Sequence, residues 1–350
     1  MNYKLIIRYV ICAVVVAIVL GFTACKSTIH KTSTDEQLPE PVGPEFDADS
    51  AVAFCAKQCD FGPRIMNSTA HDQCGEWIIN KFREYGCSVK WQKTDLKGYD
   101  GTILHAMNIM ASYNPEAKER IMICAHWDSR PWADNDPDEA NHKTPVMAAN
   151  DGASGVAVML ELARILSGGE ERDSTSIPNT QHPTPNIGVD FVCFDAEDWG
   201  VPQWSDVESE GDTWALGAQF FAANMPEGYK ARYAILLDMV GGEGAVFHKE
   251  GMSQKYAPNI VSKVWKAAKT VGFGSYFPDS EGGYVTDDHG PLNMVAGIPA
   301  IDIIPYYPDC QQSSFGPTWH TVNDTMEHID KNTLKAVGQT IVQVIYSEDL

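Results

Sequence analysis

The histidines and carboxylates of this chain gather at the ends of its apolar runs. RIMICA, residues 120–125, leads straight into His126 and Asp128, and VDFVCF, residues 189–194, leads into Asp195, Glu197 and Asp198. AILLD closes on Asp238, and His320 follows the segment after AIDIIP. Asp151 stands just ahead of the run VAVMLELARIL, residues 156–166. One carboxylate next to a helix is an ordinary cap, so Asp151 alone says little. The whole set at the carboxyl ends of strands asks for a common cleft. Neutral imidazole and carboxylate ligands around an open coordination position are how catalytic zinc is held, and Asp151, Asp198 and His320 supply three of them. Glu197, one residue before Asp198, would then lie beside the metal without binding it, where a general acid/base must stand.

The elements that must place these groups alternate. Apolar residues recur at helical spacing from Asp49 to Cys87, including Trp77, Ile78, Phe82 and Tyr85, and Gly86 is placed as a stop. Strands are expected at 88–91, 108–110, 120–125, 189–194, 234–237 and 300–304, the continuous apolar ones being of the kind buried on both faces of a sheet. Helices are expected at 156–166 and 332–346, and the polar, Pro-rich stretch 167–187 reads as a surface loop. Strands interleaved with helices, without a linker-like break after Glu45, predict a single layered α/β domain over 45–350. No internal repeat or coiled-coil pattern is visible, so a monomer is expected.

The chain has 350 residues and a formal net charge of −21. That acidity, with no Lys/Arg cluster to neutralise phosphates, excludes nucleic acid as a partner. Lys4 and Arg8 precede an apolar run from Tyr9 to Leu20 and then Thr23, Ala24 and Cys25, an order that reads as a targeting leader over 1–25. Its last residues resemble a lipobox, which implies lipidation at Cys25; the alternative is an uncleaved anchor. Either way the expected location is the bacterial cell envelope, held at the membrane and facing the periplasm. Residues 26–44, rich in Ser, Thr, Pro and charge, suit a solvated tether. Cys124 and Cys193 read as small core residues. Cys55, Cys59, Cys74 and Cys87 cluster without a CxxC pair, and spacing leaves their pairing open.

Six motifs in order carry a family resemblance: AHWDSR (125–130), ANDGASG (149–155), FDAEDWG (194–200), LLDMVGG (236–242), TDDHGPL (286–292) and PTWHTVNDT (317–325). Together they resemble the zinc aminopeptidase superfamily, and within it the type II glutaminyl cyclases. The resemblance implies a three-layer α/β/α sandwich with a central mixed, mostly parallel sheet. It implies one zinc per chain on Asp151, Asp198 and His320, with Glu197 as proton shuttle. Asp238 and Asp287 are implied as carboxylates networked to that acid, and Trp319 as an aromatic wall of the substrate pocket. Many relatives carry Glu-Glu where this chain has Glu197-Asp198. Trp204, shortly after Glu197, is the expected second wall. The implied reaction turns the N-terminal glutamine of peptides or exported proteins into pyroglutamate and releases ammonia. A two-zinc aminopeptidase is the rival, because His126, Asp151 and Asp238 would serve a second ion. A surface protein that keeps the fold without catalysis is disfavoured, since Glu197 and every ligand are present.

Overall fold

The computed structural model describes residues 38–168, 185–207 and 212–348. The leader with Cys25 and most of the polar loop expected at 167–187 lie outside them. Two helices open the domain, α1 (Ala48–Cys59) and α2 (Thr69–Glu84). The apolar period of this region is continuous in sequence but the helix is not. Asp47 caps α1 by accepting from the backbone N–H groups of Asp49 and Ser50, and Ser68 restarts the chain by capping α2 at His71. Just ahead of α1, the amide of Val42 donates to Gln343 Oε1 at 2.8 Å, so the last residues of the expected tether are bound to the closing helix.

Six strands form one sheet in the order β1-β2-β4-β3-β5-β6. They are β1 (Ser88–Lys97), β2 (Ile103–Tyr113), β3 (Arg120–His126), β4 (Gly188–Phe194), β5 (Ala234–Leu237) and β6 (Ala300–Ile303). β1 and β2 form an antiparallel hairpin that joins β4 antiparallel, whereas β4, β3, β5 and β6 pair in parallel. The hairpin runs well past the short strands expected at 88–91 and 108–110, because cross-strand pairing at its open edge extends a strand beyond its apolar signal. The longer helices that follow are α3 (Ala153–Leu166), α4 (Leu216–Ala223), α5 (Gly251–Tyr256), α6 (Pro258–Thr270) and α7 (Lys331–Tyr346).

Alternation along the central strands feeds two cores, which makes the architecture three-layered. Ile121, Ile123 and Ala125 of β3, with Phe191 and Cys193 of β4, face the core packed by α1, α2, α3 and α7. Met122 and Cys124, with Val192 and Phe194, face the opposite core, built on α4 and Leu292. Each fully buried side chain of this size contributes roughly 1.5–3 kcal/mol, so the parallel strands are the most firmly seated elements. Their carboxyl ends are where the functional groups emerge. Cys124 and Cys193 are core residues, as expected.

Candidate active site

The strand-end residues do converge. Asp151, Glu197, Asp238, Asp287, Trp319 and His320 line one cavity of about 300 Å³ over the carboxyl ends of the parallel strands. Among the described residues, three groups of ligand atoms lie within 4.8 Å of one another: Asp151 with Asp198 and His320, His126 with Asp151 and Asp238, and Asp287 with His289 and Asp302. His320 Nε2 is 3.2 Å from Asp198 Oδ1 and 3.5 Å from Asp151 Oδ2, while His126 Nε2 is 2.9 Å from Asp151 and 3.3 Å from Asp238. The residues fit a metal on a direct structural test. Both oxygens of Asp198 and one of Asp238 are buried without a hydrogen-bond partner, a costly condition that a cation relieves. Imidazole and carboxylate together suit zinc among divalent ions.

Strained backbone aims these groups. Ala196, immediately before Glu197, and His320 itself hold φ of 53° and 54°, in the left-handed region. Buried carboxylates hold the turns in place. Asp128 accepts from the backbone N–H groups of Glu197 and Asp198, both at 3.1 Å, and Asp324 accepts from those of Asn150 at 2.7 Å and Asp151 at 3.0 Å. Gly152, at φ 99°, opens α3 where a Cβ would meet the Asp128 carbonyl at 2.9 Å, so the chain can pass here only as glycine. Arg130 spans the ligands from behind. Its guanidinium forms a bidentate pair with Asp134 and donates to the Asp198 carbonyl at 3.0 Å, and Asp134 in turn lies 3.5 Å from His320 Nδ1. Outer contacts of this kind fix a ligand's ring orientation.

The electrostatics separate the carboxylates. Burial, reinforced by Asp198 and Asp287 against the attraction of His126, pushes Glu197 well above the usual range. Burial and then Asp238 raise Asp287 to about 7, and burial, Asp287 and Asp238 raise Asp302 well above its usual value. Glu250 goes the other way. Although burial opposes it, His289 and the backbone N–H groups of Met252 and Ser253 hold its carboxyl at about 2. Asp238, Asp287 and Asp302 therefore form a buried acidic row in which burial and mutual repulsion disfavour charge, and the His289–Glu250 contact is 3.3 Å. Asp302 and Glu250 were not expected at the site, whereas His289 stands in the TDDHGPL motif. Asp302 is the one polar residue of an apolar strand, the signal that could have pointed to it.

The tryptophans divide. Trp319 lines the cavity and stacks on His320 at 3.8 Å, and Phe315 packs on Trp319 at 4.9 Å. Trp204 does not line the cavity. It is 40% exposed and packs against Trp132 and His142. Trp214 takes the place instead, with its ring 5.9 Å from that of His320 and under the Arg130 guanidinium at 4.6 Å. It is carried there by backbone bonds from Ala215 to Glu197 and from Leu216 to Ala196. The polar segment between Trp204 and Trp214 hides this proximity in the sequence. Trp214→Ala is expected to raise KM about tenfold for an unbranched substrate, the size of one aromatic contact, while Trp204→Ala leaves KM within about twofold; steady-state kinetics on the two variants checks the assignment.

Residues 108–345 match Peptidase family M28, and the chain belongs to that family. Among solved structures it is similar to a glutaminyl cyclase of Bacteroides thetaiotaomicron bound to N-acetylhistamine, at 50% identity and a TM-score of 0.81, over 87% of this chain and 99% of that one. A leucine aminopeptidase precursor from the same organism is also 50% identical, with a TM-score of 0.79 over 87% of this chain and 98% of that one. The glutaminyl-peptide cyclotransferase of Gloydius blomhoffii is 28% identical over 69% of this chain, and the match spans 65% of that protein's length.

Proposed function

We propose that the chain is a zinc-dependent glutaminyl-peptide cyclotransferase that converts N-terminal glutamine to pyroglutamate. The observation that carries this reading is a buried carboxylic acid, Glu197, lining a cavity walled by Trp214 and Trp319 and placed one residue from a candidate metal ligand. Likeness to the bacterial cyclase supports it. Asp151, Asp198 and His320 would hold the ion; when bound, zinc supplies Lewis-acid polarisation of the side-chain amide oxygen.

The chain's own groups account for the rest of the reaction. The α-amine nitrogen forms a bond to the amide carbon, and the bond from that carbon to the side-chain nitrogen breaks. Glu197 takes the proton the amine loses and returns it to the departing nitrogen, which leaves as ammonia. A carboxylate held above its usual range is a stronger base and is better matched to an amine. Asp238 and Asp287, which line the same cavity, accept hydrogen bonds from the leaving amide and keep it oriented. Trp214, Trp319 and Phe315 cover the methylenes of the glutamine and exclude the water that would hydrolyse the amide instead.

A second reading has an observation of its own, the group His126, Asp151 and Asp238, which would complete a two-metal aminopeptidase. Incubation with a Gln-initiated and a Leu-initiated peptide, with product mass and zinc per chain followed together, separates the two. Loss of ammonia from the Gln peptide, about one zinc and an intact Leu peptide are expected. Free leucine with twice that zinc would overturn the cyclase reading.

A further inference from the structure

His71 is a buried histidine that the reaction above does not use. It stands in the first turn of α2, where Ser68 Oγ accepts from its backbone N–H at 3.1 Å. Its Nε2 meets Asp195 Oδ1 at 2.9 Å, across 124 residues of sequence. Asp195 is fully buried just past the end of β4, and its carboxylate has further partners. Oδ1 also accepts from the Ala196 amide at 3.0 Å, and Oδ2 accepts from the Met107 amide at 2.6 Å. Both oxygens face backbone N–H donors, so Asp195 has no room for a proton of its own and the imidazole is the donor at Nε2. The ring is held from a second side. Trp127 stacks on it with centroids 4.0 Å apart, and Gly75, one turn further along α2, clears space for that indole, since an added Cβ would come within 2.8 Å of it. Trp127 is itself fastened to the sheet, its amide donating to the Phe194 carbonyl at 3.0 Å and its indole N–H to the Met107 carbonyl at 3.2 Å.

We infer that His71 is a positioning residue for Glu197, acting through Asp195 on the turn that carries the acid; the inference rests on the cyclase reading above. Ala196 is the link between them. Its φ of 53° lies in the left-handed region, a conformation that costs about 1–3 kcal/mol and persists only where its surroundings impose it. Asp195 grips the amide of this strained residue, and Asp128 grips the amides of Glu197 and Asp198 that follow. The turn is therefore clamped by two buried carboxylates, one of which depends on a donor from α2. Removing the His71 N–H takes the side-chain partner from a fully buried carboxylate, which is costly, and frees the strain at Ala196 to relax. Asp198 has an anchor of its own, because Arg130 donates to its carbonyl at 3.0 Å. Glu197, rather than the ligand, is then the group that shifts. A small displacement suffices, since proton transfer needs the acid within hydrogen-bond reach of the reacting nitrogen.

The test compares the wild type with His71→Gln, His71→Asn and His71→Leu on the Gln-initiated peptide, with kcat referred to the folded fraction seen by circular dichroism. The amide nitrogen of glutamine overlays imidazole Nε2 and still reaches Asp195, whereas that of asparagine overlays Nδ1 and does not. kcat of the Asn and Leu variants is expected to fall about 10- to 100-fold, the usual cost of losing an outer support of a site, while KM and zinc content stay close to wild type. His71→Gln should recover most of the turnover. Asp195→Asn combined with His71→Leu is expected to be no slower than the slower of the two single variants, because both act on one turn. If the Leu variant does not fold, the Gln and Asn variants, which differ by one methylene, carry the comparison. A Gln variant as slow as the Asn variant, a rise in KM in place of the fall in kcat, a loss of zinc that accounts for the lost turnover, or losses that multiply in the double variant would each overturn the role. A wild-type protein that hydrolyses the Leu-initiated peptide and leaves the Gln-initiated one unchanged overturns the cyclase reading alone, and the same order of variants is then expected on the Leu peptide, where Glu197 is again the acid/base. Inactivity on both peptides overturns both.

Discussion

Glu197→Gln is expected to lower turnover by about 10²–10⁴-fold, the usual contribution of a positioned acid/base, and to leave zinc content and melting temperature close to the wild-type values. The amide keeps the shape of the carboxyl and removes only its ability to accept and return a proton. Two features make the substitution mild for the fold. The turn that carries residue 197 is held through its backbone by Asp128, not through the Glu197 side chain. The side chain is also buried among Asp198, Asp287 and Asp288, which disfavour its charge, so a neutral replacement relieves repulsion. Metal analysis of the variant beside its kinetics decides the assignment. Loss of zinc together with activity would mean that Glu197 is a ligand and that the roles of Glu197 and Asp198 are exchanged.

The parallel strands could be located from sequence because they are buried on both faces. RIMICA and VDFVCF have no polar alternation, and continuous apolar runs of that length leave little choice of element. Their ends then place His126, Glu197, Asp198 and Asp238 on one side of the sheet, and the cavity is assembled from them. The helical stretch read from Asp49 to Cys87 is two helices, since a periodic pattern does not register the caps at Asp47 and Ser68 until the chain is seen to turn. The groups that support the ligands were harder to find for a different reason. Asp324 secures the backbone of Asn150 and Asp151 across 174 residues of sequence, and Asp134 looks in sequence like any polar loop residue until Arg130 and His320 close on it. Trp204 was favoured by nearness to Glu197 along the chain, but Trp214 is the neighbour in space, because Ala215 and Leu216 are hydrogen-bonded back to Glu197 and Ala196. Long-range hydrogen bonds of this sort leave no period and no local motif.

The metal-free protein is expected to lose stability as pH rises from about 5 to about 8, and zinc is expected to restore it. The direction follows from which groups hold protons in the folded state. Burial and Asp238 raise Asp287 to about 7, burial and Asp151 raise Asp324 to about 7, and burial raises Asp302 and Glu197 well above the usual carboxyl range. Burial works against charge on His126, but its hydrogen bonds to Asp128, Asp151 and Asp238 prevail and hold the ring well above the usual imidazole range. All of these groups bind protons more tightly folded than unfolded. Their contribution is complete below the unfolded values, near 4 for the carboxyls, and is lost as pH climbs through the folded ones, so the folding equilibrium shifts toward the unfolded chain. A single carboxyl moved from 3.8 to about 7 corresponds to about 4 kcal/mol in all, of which roughly 3 kcal/mol is lost between pH 5 and pH 8. Sharing of protons along the acidic row reduces the sum, but a drop in melting temperature of about 5 °C or more remains. Glu250, held at about 2, titrates below this range and does not oppose the trend. A divalent cation on Asp151, Asp198 and His320 would supply the positive charge that the protons otherwise provide, which should raise the melting temperature most at the alkaline end. Thermal unfolding after chelation and after reloading with zinc, across the same pH range, measures both effects. A chelated protein whose melting temperature rises with pH would show that the acidic row is already ionised in the folded state and that Asp287 does not hold the proton assigned to it here.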